Sequence, residues 1–89
     1  MQKVIVEPVD GGWTVNVEDI DNPMMFASGR AAEDAARELA LKLAKGGIDV
    51  ELELRLRGGE RAARFVVLAP VEHEDRPLML NTGRQAAMA

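Results

Sequence analysis

A single helical stretch set between paired strands limits this chain more than any other feature. Residues 29–47 read GRAAEDAARELALKLAKGG, an alanine-rich run closed by a glycine pair. Ala, Leu, Glu, Arg and Lys fill nearly all of 31–44, and these are the strongest helix formers. On a 3.6-residue period Ala32, Ala35, Ala36, Leu39, Ala40 and Leu43 share one face, with Glu33, Asp34, Arg37, Glu38, Lys42 and Lys45 around the others. Acids come early and bases late, as the helix dipole favours. Ser28 is the N-cap candidate, and Gly46 is the residue expected to turn left-handed and stop the helix. Alanine buries little area, so Leu39 and Leu43 are expected to carry much of the docking energy, about 1.5–3 kcal/mol for each fully buried side chain. Leu41 breaks the pattern, pointing about 180° from the core stripe.

Both flanks of the helix read as strands. Residues 3–9 alternate, with Val4, Val6 and Pro8 opposed to Lys3, Ile5 and Glu7, and residues 13–18 alternate with Trp13, Val15 and Val17 on one side. Asp10-Gly11 between them signals a two-residue hairpin turn. Folding there sets Pro8 opposite Trp13, Val6 opposite Val15 and Val4 opposite Val17, with Lys3 meeting Glu18 on the other face. A slip of one residue would destroy that agreement. After the helix, Ile48, Val50, Leu52, Leu54 and Leu56 alternate with Asp49, Glu51, Glu53, Arg55 and Arg57. Gly58-Gly59 is the next turn, and 60–69 returns. This register puts Leu54 opposite Ala63, Leu52 opposite Phe65 and Val50 opposite Val67. It also puts Arg57 against Glu60 and Glu53 against Arg64, both favourable pairs.

The pattern is β-β-(β)-α-β-β, an α+β fold in which an antiparallel sheet of four or five strands carries one helix on one face. The optional strand is Met24, Met25 and Phe26. Residues 1–69 form one domain, and 70–89 read as a flexible tail in which Leu78, Met79 and Leu80 either add a strand or cover part of the open face. Eighty-nine residues allow one modest core. The chain has no cysteine, hence no disulfide and no thiolate metal site. A formal charge of −4 argues against a general polyanion binder. No apolar run approaches a membrane span, so a cytoplasmic location is expected.

The candidate chemistry is thin. Nucleophile candidates are Ser28, Thr14 and Thr82, and the single histidine, His73, falls in the expected tail. Glu72-His73-Glu74-Asp75 resembles ligand material, but consecutive tail residues do not converge on one ion. Asp19 and Asp21 lack the ligand ladder of a calcium site. The three glycine pairs (11–12, 46–47, 58–59) read as turn punctuation, since none lies in the strand–loop–helix context of a phosphate cradle. No catalytic residue, metal or cofactor is expected.

The run V-I-V-E-P-V-D-G-G-W-T-V, an Asp-Ile loop, and then S-G-R-A-A-E-D-A-A-R-E-L-A resembles the partly degraded RNase-H-like domain of HicB-type antitoxins. It is similar to the same degree to short bacterial proteins of unknown function with a β-β-α-β-β plan and a G-G-W turn. The resemblance covers residues 4–44, about half the chain. It implies a non-catalytic domain that presents a sheet or an edge to a partner. The long second hairpin, and the lack of a DNA-binding helix or ribbon after it, depart from the antitoxin pattern.

Apolar residues at exposed positions point the same way. Ile5, Val66 and Leu68 fall on the open sheet face, and Leu41 on the charged side of the helix. If the first and last strands were neighbours, Ile5, Val66 and Leu68 would form one patch, of the kind that marks protein interfaces or self-association. The alternative is a nucleic-acid contact through Arg55, Arg57 and Arg64, although acids are interleaved and no aromatic residue shares their face.

Overall fold

Three strands precede the helix, and that odd number decides the topology. The computed structural model describes residues 1–70 and 78–81. Its elements are β1 (Gln2–Val9), β2 (Gly12–Val17), β3 (Met24–Phe26), α1 (Gly29–Lys45), β4 (Val50–Arg55), β5 (Arg61–Leu68) and β6 (Leu78–Asn81). With β3 formed, the chain enters α1 at the end of the sheet where β1 finishes. A 17-residue helix spans about 25 Å, the length of an eight-residue strand, and returns the chain to the end where β1 began. The next strand must then run parallel to β1.

That is the arrangement observed. The six strands lie in the order β3-β2-β1-β4-β5-β6, with β1 and β4 parallel and every other pair antiparallel. The expected antiparallel sheet of four or five strands is therefore corrected to a mixed sheet of six. The class, α+β with one helix, stands. Counting β3 as optional is what hid the parallel pair.

The first hairpin has the register read from its alternation, from Val4 opposite Val17 to Val9 opposite Gly12. The second matches from Val50 opposite Val67 to Leu54 opposite Ala63 and then shifts. Arg55 faces Arg61, so Ala62 is the extra residue of a β-bulge. The Leu56 N–H donates to the Glu60 carbonyl at 2.7 Å, which makes the turn Arg57-Gly58-Gly59 and removes the expected Arg57–Glu60 pair. Both glycines have positive φ, 101° and 88°, and so allow this three-residue turn. The strand also begins later than the alternation suggests, at Val50, leaving Ile48 exposed.

The helix-side core consists of Val4, Val6, Val15, Val50, Leu52 and Val67 from the sheet, all fully buried or nearly so, against Ala32, Ala36, Ala40 and Ala44. The buried stripe is thus the i, i+4 alanine row. Leu39 and Leu43 flank it half-buried, so they do not carry the docking as expected, and the large apolar payload sits on the sheet. Leu78, Met79 and Leu80 fall within the added strand β6, pairing with β5 at Val66↔Leu80 and Val67↔Met79. The rest of the expected tail, 71–77 and 82–89, lies outside the described residues.

Ser28 caps α1 as read: its Oγ accepts from the Ala31 N–H at 3.1 Å. The stop differs by one residue. Gly46 has φ −79°, and Gly47 takes the left-handed φ of 102°. The Gly47 N–H donates to the Ala44 carbonyl and the Ile48 N–H to the Leu43 carbonyl, the two bonds of a Schellman motif. Nothing lies within 4 Å of a Cβ built at Gly47, so its replacement meets no clash. Gly47→Ala is therefore expected to cost about 1–2 kcal/mol through backbone strain alone. Gly46→Ala, at negative φ, is expected to be near neutral. Urea denaturation of the two variants checks the assignment.

Candidate interaction surface

Strand alternation gives each sheet face its own residues. The helix side takes Trp13, Phe26 and Phe65, the only aromatic residues in the chain. The opposite side takes Lys3, Ile5 and Glu7 from β1, Thr14 and Asn16 from β2, Met25 from β3, Glu51, Glu53 and Arg55 from β4, Arg64, Val66 and Leu68 from β5, and Leu80 from β6. No described element covers this second face.

Its centre is an ion-pair network that the β1–β4 pairing assembles. Lys3 stands opposite Glu51 in the ladder, with its Nζ 4.0 Å from Glu51 and 3.7 Å from Glu53. Arg64 grips Glu51 with a two-pronged contact, Nε to Oε2 at 3.1 Å and Nη2 to Oε1 at 3.2 Å. Such planar forks are among the stronger charge-assisted contacts. Arg55 donates through Nε to Glu53 and lies 3.8 Å from Glu7, and Arg61 reaches Glu53 at 3.9 Å. The alternation places Glu53 on the sheet face that no described element covers. It is nonetheless only 5% exposed, enclosed by Lys3, Arg55 and Arg61. Sequence reasoning missed this cluster because the signal for it, β1 beside β4, depends on topology.

The expected apolar interface residues are spread over three places. Ile5 is on β1, and Val66 and Leu68 are on β5, all half-buried. β4 lies between them and interposes Glu51 and Glu53, so the single patch that neighbouring first and last strands would form is absent. The contiguous apolar group is instead Val66, Leu68 and Leu80, with Val66 and Leu80 directly paired. Leu41, 40% exposed, is on α1, whose other side packs on the sheet, and so belongs to a different surface. Of the arginines, Arg55 and Arg64 are committed to carboxylates, and Arg57 lies exposed in the turn.

Among the described residues, hollows adjoin the helix in two places. One, of about 200 Å³, is lined by Val6, Trp13, Gly29, Glu33, Leu54, Arg55, Leu56 and Ala62. A Cβ at Gly29 would come within 2.9 Å of the Trp13 ring, so glycine lets the indole lie against the first turn of α1. The other, of about 240 Å³, lies between β3 and α1 and is lined by Met24, Ala35, Glu38, Leu39 and Lys42. Neither brings a nucleophile to a base. Ser28 is used as a cap, and the Thr14 Oγ1 donates to the Glu7 carbonyl at 3.4 Å. Among the described residues no three His, Cys, Asp or Glu side chains are placed to hold a metal ion. Thr82 and the cluster Glu72, His73, Glu74 and Asp75 lie outside the described residues. No described helix is long and apolar enough to cross a membrane.

Comparison with protein families, with curated proteins and with solved structures found no significant match to this chain.

The network has a pH signature. The hydrogen bond from Arg64, aided by the charges of Arg64, Lys3 and Arg61, outweighs burial and holds the Glu51 carboxyl below its ordinary value. A carboxylate depressed by folding stabilises the protein fully above its unfolded pKa, and that contribution is lost as pH falls through the folded pKa. Glu51→Gln is therefore expected to lower the melting temperature at pH 7. The gap to the parent protein should close as pH drops through the acid side of about 4.5, which thermal melts across pH 2–7 would show.

Proposed function

We propose that this chain is a small, non-catalytic protein-interaction domain that receives a protein partner on the uncovered face of its sheet. The observation that carries this reading is the composition of that face. Ile5, Val66 and Leu68 stand beside arginines already neutralised by carboxylates, on a platform backed by the helix. Such a surface sets Ile5 among fixed charges at its centre and Val66 and Leu68 at one side of them, a mixture of apolar contact and charge by which protein interfaces gain orientation. The resemblance of residues 4–44 to HicB-type antitoxin domains supports the same reading.

Nucleic acid fits the face less well. Arg55 and Arg64 would have to leave Glu7, Glu53 and Glu51 to reach a phosphate, and the carboxylates left behind would repel it. Trp13, Phe26 and Phe65 all pack on the helix side, so among the described residues no aromatic ring on the open face is offered to a base.

A photo-crosslinking residue placed at position 5 in host cells tests the proposal, with position 41 as a second probe. Protein adducts at position 5 are expected. Replacing Ile5 and Val66 together by Lys should weaken the purified complex by roughly 30-fold or more, the about 2 kcal/mol of an interface hot spot. Nucleic-acid adducts would overturn the proposal, provided their affinity falls steeply with salt and Arg55→Ala with Arg64→Ala flattens that slope.

A further inference from the structure

Among the described residues the sheet has two edges that no further strand covers, and they differ. β3 at one edge is three residues long, follows Asn22-Pro23, and adjoins a loop bearing Glu18, Asp19 and Asp21. Proline and charge of this kind are the usual means by which natural edges avoid pairing. β6 at the other edge reads Leu-Met-Leu-Asn, with no charge, proline or glycine. No described element lies beyond it. We infer that β6 pairs antiparallel with β6 of a second copy of this chain, giving a two-fold dimer with a continuous sheet of twelve strands.

Three observations select this occupant. The first is apolar self-complementarity. Leu80 is 40% exposed on the open face and directly paired with the half-buried Val66. A two-fold axis that sets Leu80 opposite its counterpart joins both Val66–Leu80 pairs into one cluster of four side chains. It also places no like charges in direct opposition along the new ladder. The second is charge distribution. Pairing through β3 would bring two loops with three acids each together. Pairing through β6 holds those loops on the order of 50 Å apart, counting ten strand spacings of about 4.8 Å each, several times the Debye length. The third is anchoring from behind. Arg37 on α1 lies over the Phe65 ring at 4.8 Å, and its Nη1 donates to Met79 Sδ at 3.6 Å. These contacts tie β6 and its neighbour to the helix, so the edge is presented as a set template.

A four-residue edge buries less than the roughly 800 Å² per partner of a standard interface, so the dimer is weak and reversible. The two proposals share Val66, which is paired with Leu80, and are told apart by Ile5, which the edge-to-edge dimer leaves unengaged. The test is amide NMR with sedimentation, from about 10 μM to about 1 mM. The expected result is a mass rising from 9.7 kDa toward twice that value, with concentration-dependent shifts centred on residues 78–81. Leu80→Lys should stay monomeric with Val66 and Val67 amides still protected, and Ile5→Lys should dimerise like the parent. A monomer at about 1 mM, shifts centred elsewhere, a dimer that survives Leu80→Lys with β6 still paired, or growth past the dimer through β6-to-β3 pairing would each overturn it.

Discussion

The close seat of the alanine row on the β1–β4 seam is the contact on which the rest of this structure depends. Ala32, Ala36, Ala40 and Ala44 are each fully buried, and the helix lies over β1, β2 and β4. A methyl group is the smallest side chain that still excludes water, so the helix backbone approaches the sheet and leaves the bulk to the opposing valines and Leu52. Each of those residues is worth about 1.5–3 kcal/mol when buried. Larger residues in the alanine row would have to lift the helix or leave their rotamers, and overpacked cores typically lose 1–3 kcal/mol.

Because the helix crosses that seam, β4 returns beside β1 and parallel to it, and the composition of the opposite face follows. Lys3 and Glu7, from the start of the chain, meet Glu51, Glu53 and Arg55 from its middle. Glu53 ends up enclosed on a face that no described element covers, at 5% exposure, because long basic side chains close over it. The same adjacency divides the apolar residues, isolating Ile5 and leaving Val66, Leu68 and Leu80 as the coherent group at the β5–β6 side. A single topological choice thus sets both the charge lattice and the place where apolar surface remains.

Much of the fold could be read from the chain because its signals are local. Alternation and turn chemistry gave the whole first register and most of the second, and Ser28 was identifiable as the cap. What escaped is of two kinds. Small shifts, such as Gly47 in place of Gly46 as the left-handed residue and the bulge at Ala62, cost little energy and leave no periodic trace. The larger miss, the parallel β1–β4 pair, is non-local: nothing within residues 2–9 or 50–55 names the other as its neighbour. It turned on whether the three residues of β3 form a strand. The candidate surface suffered from the same gap. Ile5, Val66 and Leu68 were identifiable as outward-facing, but whether they touch depends on strand order, and Leu80 gains meaning only once β6 is docked.

A methyl NOE spectrum tests that strand order most directly. This account predicts contacts from Val4 to Leu52 and from Val6 to Leu54, with the Ala36 methyl reaching the same core. Contacts between Ile5 and Val66, with none from Val4 to Leu52, would place β1 beside β5 and contradict both the parallel seam and the surface derived from it.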